Sequence, residues 1–341
     1  MFEAQCDALS AASRPHQVAV RAHRVALTYQ EVDCRANQLA RHLLALGAGP
    51  GDRIGLLLDH GESLYVAMLA VLKIRAVYVP LDPGTPVART GYIAATGRLR
   101  VLLAQAYLVT RALVHACPGT QVVVMETAPV AHHDRARLGD SEVGQPVDGV
   151  AALIYPPGDP GEPEGVELTH AGICNFAVTA AKIYRVTALD RVHECLSTSA
   201  AGFSPEAIWV TWMVGASLVP KVPGPSPRGH RLRQFLTANR VTALCCTPGQ
   251  LASLGEVLPS LRVVALSGQA CPRDLLTRWR RPGRRLVSVY GVADPTVPAA
   301  TIPVRVTADA VQLSGGSVTV HLTPRTYRQT TDEHLRWLLV D

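Results

Sequence analysis

The strongest constraint on this chain is a repeated alternation of short apolar runs with longer amphipathic segments. Residues 53–58 and 76–80 are apolar runs of strand length, and residues 63–74 between them have the pattern of a helix. Strands of this kind joined by helices form βαβ units, in which helices pack on a parallel sheet. The sequence therefore predicts an α/β fold.

The alternation continues through most of the chain, with one polar interruption at residues 126–149. Residues 29–48 carry apolar side chains at helical spacing, and Thr28 with Glu31 has the spacing of a capping box. We interpret the polar stretch as a surface connection, and we predict α/β subdomains at 1–149 and 150–300 and a small β element at 301–341. Further helices are predicted at residues 171–181, 206–214 and 232–239, and further strands at 101–104, 121–125, 151–155, 218–219, 241–246, 261–266, 285–289, 304–306, 311–313 and 317–322.

Composition narrows the class of protein. Of the 341 residues, 48% are apolar and 18% are charged, which supports a buried core and excludes a disordered chain. Eight cysteines without a CxxC pair favour reduced thiols over a disulfide scaffold. The longest apolar stretch, 66–81, is interrupted by Lys73 and Arg75, and the N-terminus lacks the pattern of a signal peptide. We therefore predict a cytoplasmic protein that does not span a membrane.

Three polar features allow alternative functions. The basic segment 278–285 could contact nucleic acid, but one basic loop broken by Pro and Gly is typical of a solvated connection. His132, His133 and Asp134 could bind a metal, although adjacent histidines in a loop are more typical of a solvated surface. Ser204 lacks the GxSxG context of a nucleophile. We predict neither a nucleic-acid partner nor a membrane partner.

The segment 155–165 reads Tyr-Pro-Pro-Gly-Asp-Pro-Gly-Glu-Pro-Glu-Gly. Glycines at this spacing between a strand and a helix are typical of loops that wrap phosphates. Four prolines remove backbone N–H donors, however, and three carboxylates stand where a phosphate needs cations. By its residues alone, the segment is a glycine-rich turn that repels anions.

Short motifs occur in a recognisable order along the chain. They are Leu-Thr-Tyr-Gln-Glu-Val at 27–32, Leu-Lys-Ile-Arg-Ala-Val-Tyr-Val-Pro-Leu-Asp-Pro at 72–83, Gly-Val-Glu-Leu-Thr-His at 165–170, Phe-Ser-Pro-Glu-Ala-Ile at 203–208 and Ser-Val-Tyr-Gly-Val-Ala-Asp at 288–294. This order resembles the adenylation domain of nonribosomal peptide synthetases, within the adenylate-forming (AMP-binding, acyl-CoA synthetase and luciferase-like) superfamily. The resemblance covers roughly residues 12–294.

The resemblance implies a fold and a reaction. The fold is the adenylate-forming N-terminal domain, with two parallel-sheet α/β subdomains and a shortened C-terminal β appendage. The small C-terminal lid domain is expected to be absent. In the reaction, ATP and a carboxylic acid form an acyl-adenylate and pyrophosphate, and the acyl group then passes to a thiol.

The resemblance also implies roles for individual residues, with departures from the family pattern. Glu164 stands where the family has Lys, prolines and Asp159 replace loop hydroxyls, and Ser204 stands where amino-acid-specific members have Asp. Asp294 is implied as the remnant catalytic carboxylate and a possible Mg²⁺ ligand, and Tyr290 is either an adenine-stacking ring or a strand-end aromatic. The implied nucleotide-binding remnant is Gly158, Gly161, Gly165, Ser288, Tyr290, Gly291 and Asp332, and the implied substrate pocket is Phe203, Ser204, Ile208, Val287 and Val289.

These residues lead to a functional expectation. The chain is expected to be an adenylation-like protein of nonribosomal peptide or other secondary-metabolite biosynthesis. Alone it would be weak or inactive in acyl-adenylate formation, and it would act by binding a partner or a ligand. The expected partner is a synthetase module or a carrier protein, and ATP with Mg²⁺ would be required if the chain is active. The alternative is a functional adenylating enzyme for amino or carboxylic acids that a partner chain completes.

Overall fold

The computed structural model describes residues 1–22, 25–145, 149–155, 164–195, 205–221, 227–267, 271–289 and 318–320. These residues form two compact units. Those up to Ile173 belong to the first unit, and those from Cys174 onward belong to the second. Each unit is built on a largely parallel sheet with helices, which confirms the predicted α/β fold.

The first unit holds a six-stranded sheet in the order β6-β5-β3-β4-β7-β8. Its strands pair in parallel, except that β8 is antiparallel to β7 at the edge. A separate antiparallel pair, β1 and β2, precedes them in the sequence. The helices are α1 (Phe2–Ala11), α2 (Tyr29–Ala45), α3 (Glu62–Lys73), α4 (Val87–Thr96), α5 (Arg111–Ala116) and α6 (Asp140–Val143), and the strands are β1 (Val18–Arg21), β2 (Ala26–Thr28), β3 (Arg53–Leu57), β4 (Val77–Leu81), β5 (Leu99–Ala104), β6 (Gln121–Val124), β7 (Val150–Ile154) and β8 (Val166–Thr169).

The strands β7 and β8 lie on the far side of the predicted subdomain boundary at 149/150. In the structure they complete the first sheet, where Ala152 of β7 pairs with Tyr78 of β4. The sequence pattern placed β7 with the second half because an apolar run shows that a strand is buried, not which sheet it joins.

The second unit holds parallel strands in the order β14-β13-β12-β11-β9-β10. The short strand β14 is the described part of the predicted β element at 301–341, and it pairs in parallel with β13. The strands predicted at 304–306 and 311–313 lie outside the described residues. The helices are α7 (His170–Tyr184), α8 (Pro205–Met213), α9 (Gly229–Ala238), α10 (Pro248–Ser253) and α11 (Arg273–Trp279), and the strands are β9 (Arg191–Glu194), β10 (Ser217–Val219), β11 (Ala243–Cys246), β12 (Val263–Ser267), β13 (Arg285–Val289) and β14 (Val318–Val320).

Two core clusters lie on opposite sides of this second sheet. Along β11, Ala243 and Cys245 join the cluster under α7 and α8, whereas Leu244 and Cys246 join the cluster under α9, α10 and α11. Successive side chains of a strand point to opposite faces, so a strand buried on both faces is apolar throughout. This explains why the second half shows continuous apolar runs rather than alternation.

The polar stretch around residues 130–143 lies along α2. Asn37 and Gln38 donate side-chain hydrogen bonds to the backbone carbonyls of Arg135, Ala131 and His133, at 2.8–3.2 Å. Arg41 holds the same segment through the carbonyls of Asp134 and Ala136 and an ion pair to Glu142. The segment is therefore a surface strap fixed to α2, and Arg137 also ties it to Asp7 of α1.

Two sequence-based alternatives can be compared with the described residues. The described part of the chain contains no group of three or more His, Cys, Asp or Glu side chains that could hold a metal ion. In the same residues, no helix has the length and apolarity needed to cross a membrane.

Candidate functional site

Two of the implied site residues, Ser288 and Val289, lie at the carboxyl end of the second sheet. The strands β9, β11, β12 and β13 run in parallel and therefore end at this edge. In open α/β sheets, ligands bind in the crevice outside the carboxyl ends of the strands. Ser288 and Val289 form the end of β13 and pair with Leu266 and Ser267 of β12. The strand register thus brings these two residues to that edge.

Many of the implied site residues lie in segments of the chain between or after the described strands. Those segments are outside the described residues, so the roles assigned to them remain predictions. They are Gly158, Gly161, Phe203, Ser204, Tyr290, Gly291, Asp294 and Asp332.

Gly165 is the described glycine of the predicted phosphate loop, and it starts the return strand of the β7–β8 hairpin. A Cβ atom at this position would lie 2.6 Å from Cδ1 of Leu153 and 3.1 Å from Cζ of Tyr155. Tyr155 is itself fixed, because its hydroxyl lies 3.1 Å from Oγ1 of Thr96. Close strand packing therefore accounts for this glycine without any phosphate.

The end of the same motif starts a helix. The Thr169 hydroxyl accepts a hydrogen bond from the Gly172 backbone N–H at 3.0 Å, which satisfies one free donor at the start of α7. The sequence Gly-Val-Glu-Leu-Thr-His thus has a structural role as the second strand of a hairpin followed by a helix cap.

Two implied pocket residues, Ile208 and Val287, are fully buried. Val287 belongs to the core cluster under α7 and α8, together with Ala207 and Val210 on either side of Ile208. The cavity within this cluster has a volume of about 10 Å³, enough for at most one water molecule. Val287 does not line this cavity, and its role in lining an acid-binding pocket remains a prediction.

A buried polar pair at the end of β9 was not singled out from the sequence. His193 is fully buried, its Nδ1 donates to the Val219 carbonyl at 2.7 Å, and its ring packs on Phe235. Burial lowers the pKa of His193 to about 4, and the charge of Lys221 acts in the same direction. Its Nε2 atom has no hydrogen-bond partner among the described residues.

Glu194 follows His193 and is also buried. The available sequence signal was the composition of the strand, because Arg-Val-His-Glu is polar for a central strand of a parallel sheet.

The cysteines near this edge are unsuited to nucleophilic chemistry. Burial raises the pKa of the Cys195 thiol to about 12, and burial also holds the pKa of Cys246 well above its ordinary value. Both thiols therefore stay protonated at neutral pH. The Cys195 carbonyl accepts a hydrogen bond from Gln250 at 2.7 Å, which ties the end of β9 to the start of α10.

Asp190 anchors the other end of β9. Its carboxylate accepts from the backbone N–H and hydroxyl of Thr187, from the Thr242 hydroxyl at 2.8 Å and from the Arg262 guanidinium. Burial raises the pKa of Asp190, but the bonds from Arg262 and the two threonines outweigh it and hold the pKa below its ordinary value. This network fixes the frame of the second sheet.

The first unit contains a polar cleft of about 510 Å³ at the amino ends of its strands. It is lined by Gly51, Asp52, Arg53, Thr96 and Arg98. Arg53 pairs with Glu167 at 3.0 Å, so part of the positive charge is compensated. The cleft lies at the edge formed by the amino ends of the strands. In α/β folds, ligands bind at the opposite edge, which the carboxyl ends form.

The chain contains three lysines, and the structure describes the position of each of them. Lys73 belongs to the second motif, and its Nζ forms ion pairs with Glu3 and, at 2.8 Å, with Asp33. Lys182 is exposed near the end of α7. Lys221 follows β10, close enough to influence the ionisation of His193 and Cys195.

Comparison with known proteins gives one family over almost the whole chain. The model of the family described as AMP-binding enzyme matches residues 8–329. Novobiocin biosynthesis protein H from Streptomyces niveus is 35% identical over 297 residues, which cover 84% of this chain and 48% of that protein. Phosphinothricin tripeptide synthetase PhsC from Streptomyces viridochromogenes is 34% identical over 329 residues, 94% of this chain and 29% of that protein. The chain thus spans less than half of either relative.

Solved structures agree with this match. The AMPPNP-bound form of the nonribosomal peptide synthetase FmoA3 superposes with a TM-score of 0.73 at 28% identity, covering 86% of this chain and 31% of that one. VinN in complex with L-aspartate has a TM-score of 0.68 at 21% identity, a similarity of fold. It covers 84% of this chain and 77% of VinN.

Proposed function

This chain belongs to the AMP-binding enzyme family, as an adenylation-domain-like member with relatives in secondary metabolism, and we propose that it has little or no adenylating activity of its own. Instead, it acts by binding a ligand or a partner within a biosynthetic pathway. The expected partner is a nonribosomal peptide synthetase module or a carrier protein.

The observation that carries this proposal is the residue content of the loop between β7 and β8. Four prolines in 156–163 remove backbone donors, and three carboxylates, including the exposed Glu164, replace the hydroxyls and the lysine that the family pattern implies. A carboxylate about 4 Å from a phosphate costs about 1 kcal/mol even in water, and more in a cleft. The glycine that the structure does describe, Gly165, is explained by strand packing.

The family reaction also needs Mg²⁺ with ATP. Asp294, the residue implied for this ion, lies outside the described residues, and the described part offers no carboxylate cluster for it. The described residues therefore neither support nor oppose a reaction that depends on Mg²⁺ and ATP.

Isothermal titration of the chain with ATP and Mg²⁺, together with a pyrophosphate-exchange assay, tests the proposal. We expect no binding at cellular ATP concentrations and no exchange with any carboxylic acid. Glu164→Lys should not restore binding, because the prolines remain. Micromolar affinity for ATP, or exchange that Asp294→Ala abolishes, would overturn the proposal.

The alternative is an adenylating enzyme completed by another chain. Tyr290 and Gly291, which match the family pattern for adenine, favour it, and Asp294 offers a carboxylate for Mg²⁺ where the family pattern has Glu. Its substrate would be a carboxylic acid without an α-ammonium group, since Ser204 offers no negative charge to a buried ammonium. Exchange activity that appears only after addition of a pathway synthetase would favour this alternative.

A further inference from the structure

Charge is distributed unevenly between the two units. Residues 1–173 contain 14 Lys and Arg against 17 Asp and Glu, a net charge of −3, whereas residues 174–289 contain 15 against 5, a net charge of +10. The overall net charge of +6 hides this contrast. Electrostatic attraction to an anionic partner is therefore concentrated on the second unit.

Part of this positive charge has a structural role. Arg284 donates to the backbone carbonyls of Leu261, Trp279 and Leu258, and it lies over the Trp279 ring at 5.4 Å. Arg262 is bound to Asp190. The basic segment 278–285 thus contains the half-buried Arg284, which holds the fold, and the exposed Arg278, Arg280 and Arg281.

The exposed arginines belong to the side of the second sheet that α9, α10 and α11 cover. These helices bury their apolar side chains in one core cluster beneath them. We call their outer side the basic face. Its exposed arginines are Arg228 and Arg231 at the start of α9, Arg240 just after α9, Arg273 and Arg278 in α11, and Arg280 and Arg281 directly after α11.

Little negative charge on the basic face compensates these arginines. Glu256 is used by Arg233, at 2.7 Å, and Asp274 is the other exposed carboxylate among the described residues of the three helices and their connections. The seven exposed arginines therefore outnumber the acidic groups near them. Because like charges destabilise the folded chain, this excess has a cost that a partner would offset.

We propose that the basic face binds a partner protein whose docking surface is rich in Asp and Glu. The planar guanidinium group matches a carboxylate through two parallel hydrogen bonds, so arginine suits such a surface better than lysine does. A single-stranded nucleic acid fits less well, because its bases need exposed aromatic rings. The aromatic side chains of α9 and α11 are half-buried Phe235 and buried Trp279.

Fluorescence anisotropy with labelled poly-L-glutamate, at low and physiological salt, tests this proposal. The triple variant Arg231→Glu, Arg273→Glu, Arg278→Glu should bind the probe about tenfold more weakly or worse, since each position loses an attraction and gains a repulsion. The matched control is Arg35→Glu, Arg98→Glu, Arg111→Glu. It makes the same charge change at exposed arginines of the first unit and should weaken binding by less than about threefold.

Three results would overturn the proposal. They are equal weakening in both triple variants, no binding by the unaltered protein at low salt, and tighter binding of a DNA duplex of equal charge than of poly-L-glutamate. Circular dichroism and the urea midpoint confirm that each variant is folded. If charge reversal prevents folding, Arg→Gln at the same three positions gives the comparison. Because poly-L-glutamate binding requires no ATP, failure here is distinguishable from failure of the proposed function.

Discussion

Single residues of the second unit show how burial, rather than residue type, decides chemistry. His193 is an ionisable side chain near a sheet edge where ligands bind in α/β folds, yet burial lowers its pKa to about 4. The protein therefore keeps it neutral at physiological pH, as a donor to Val219. Because its pKa is lower in the folded chain than in the unfolded chain, His193 makes the protein less stable as the pH falls.

The first prediction concerns pH and His193. Above pH 6.5 the side chain is neutral in both the folded and the unfolded chain, so it adds no pH dependence. Between pH 6.5 and about 4 the unfolded chain binds a proton that the folded chain does not, so stability falls as the pH falls. The loss amounts to about 1.4 kcal/mol per pH unit, or roughly 3 kcal/mol near pH 4.

His193→Leu removes this loss but leaves the Val219 carbonyl without its donor, at a cost of about 1 kcal/mol. The variant should therefore be less stable than the unaltered protein at pH 8 and more stable at pH 4.5, as measured by urea unfolding. His230→Leu at an exposed position of α9 is the control and should show no such crossover. Parallel stability curves for His193→Leu and the unaltered protein would contradict the prediction.

The second prediction concerns Gly165. Because a Cβ would lie 2.6 Å from Cδ1 of Leu153, Gly165→Ala must displace this buried side chain or the strand that carries it, and we expect a destabilisation of about 1–3 kcal/mol. Gly149→Ala, beside the start of the same hairpin, meets no atom within 4 Å and should change stability by less than about 0.5 kcal/mol. Thermal unfolding of the two variants that gives equal midpoints would refute the packing explanation.

At the scale of secondary-structure elements, four helices end in the same unusual way. Arg75, Arg98, Arg185 and Arg240 follow α3, α4, α7 and α9 with φ between 50° and 58°. This left-handed conformation is typical of glycine after a helix, and an ordinary side chain in it costs roughly 1–2 kcal/mol. In the case of α9, Arg240 and Val241 donate backbone hydrogen bonds to Thr237 and Leu236 at 3.0 and 2.9 Å, which close the helix end.

The third prediction follows from this strain. Arg240→Gly relieves it and should stabilise the protein by about 1 kcal/mol, less the entropy that glycine adds to the unfolded chain. Arg231→Gly removes the same charge inside the same helix and should destabilise it by about 1 kcal/mol. Chemical denaturation measures both changes, and a loss of stability in Arg240→Gly would contradict the strain argument.

Element positions were predictable from the sequence where local chemistry decides them. The capping box of α2 forms as expected, with the Glu31 N–H on the Thr28 hydroxyl at 3.2 Å and the Thr28 N–H on the Glu31 carboxylate at 2.8 Å. The strand at 285–289 agrees with the structure as well. Helix α1 and strand β8 are among the elements that were missed, because their mixed polar and apolar residues become ordered through tertiary contacts.

The candidate site was less predictable than the fold. Motif order identified the family, but the reason for Gly165 lies in Leu153 and Tyr155, which no spacing rule connects to it. Likewise, the neutrality of His193 depends on its burial, to which the Phe235 ring of α9 contributes, and this contact exists only after folding.

At the scale of the whole molecule, uneven charge gives a fourth prediction. The isoelectric point is about 9.0, so the net charge of the protein is close to zero near pH 9. Because residues 174–289 carry most of the positive charge, the protein should still be retained on a sulfonate resin at pH 9 and low salt. The triple variant Arg231→Glu, Arg273→Glu, Arg278→Glu should elute much earlier than the first-unit control variant. Passage of the unaltered protein without retention would contradict this prediction.

The arginines that end four helices have a consequence for how the chain can change over generations. Every codon for arginine becomes a codon for glycine when its first base changes to guanine. Each strained position is therefore a single base substitution away from the residue that suits it best. Stabilising substitutions that lie this close are expected where selection requires only a threshold of stability. A mutagenised library of this gene, selected at elevated temperature, should accordingly accumulate glycine codons at these helix ends before it alters the buried core.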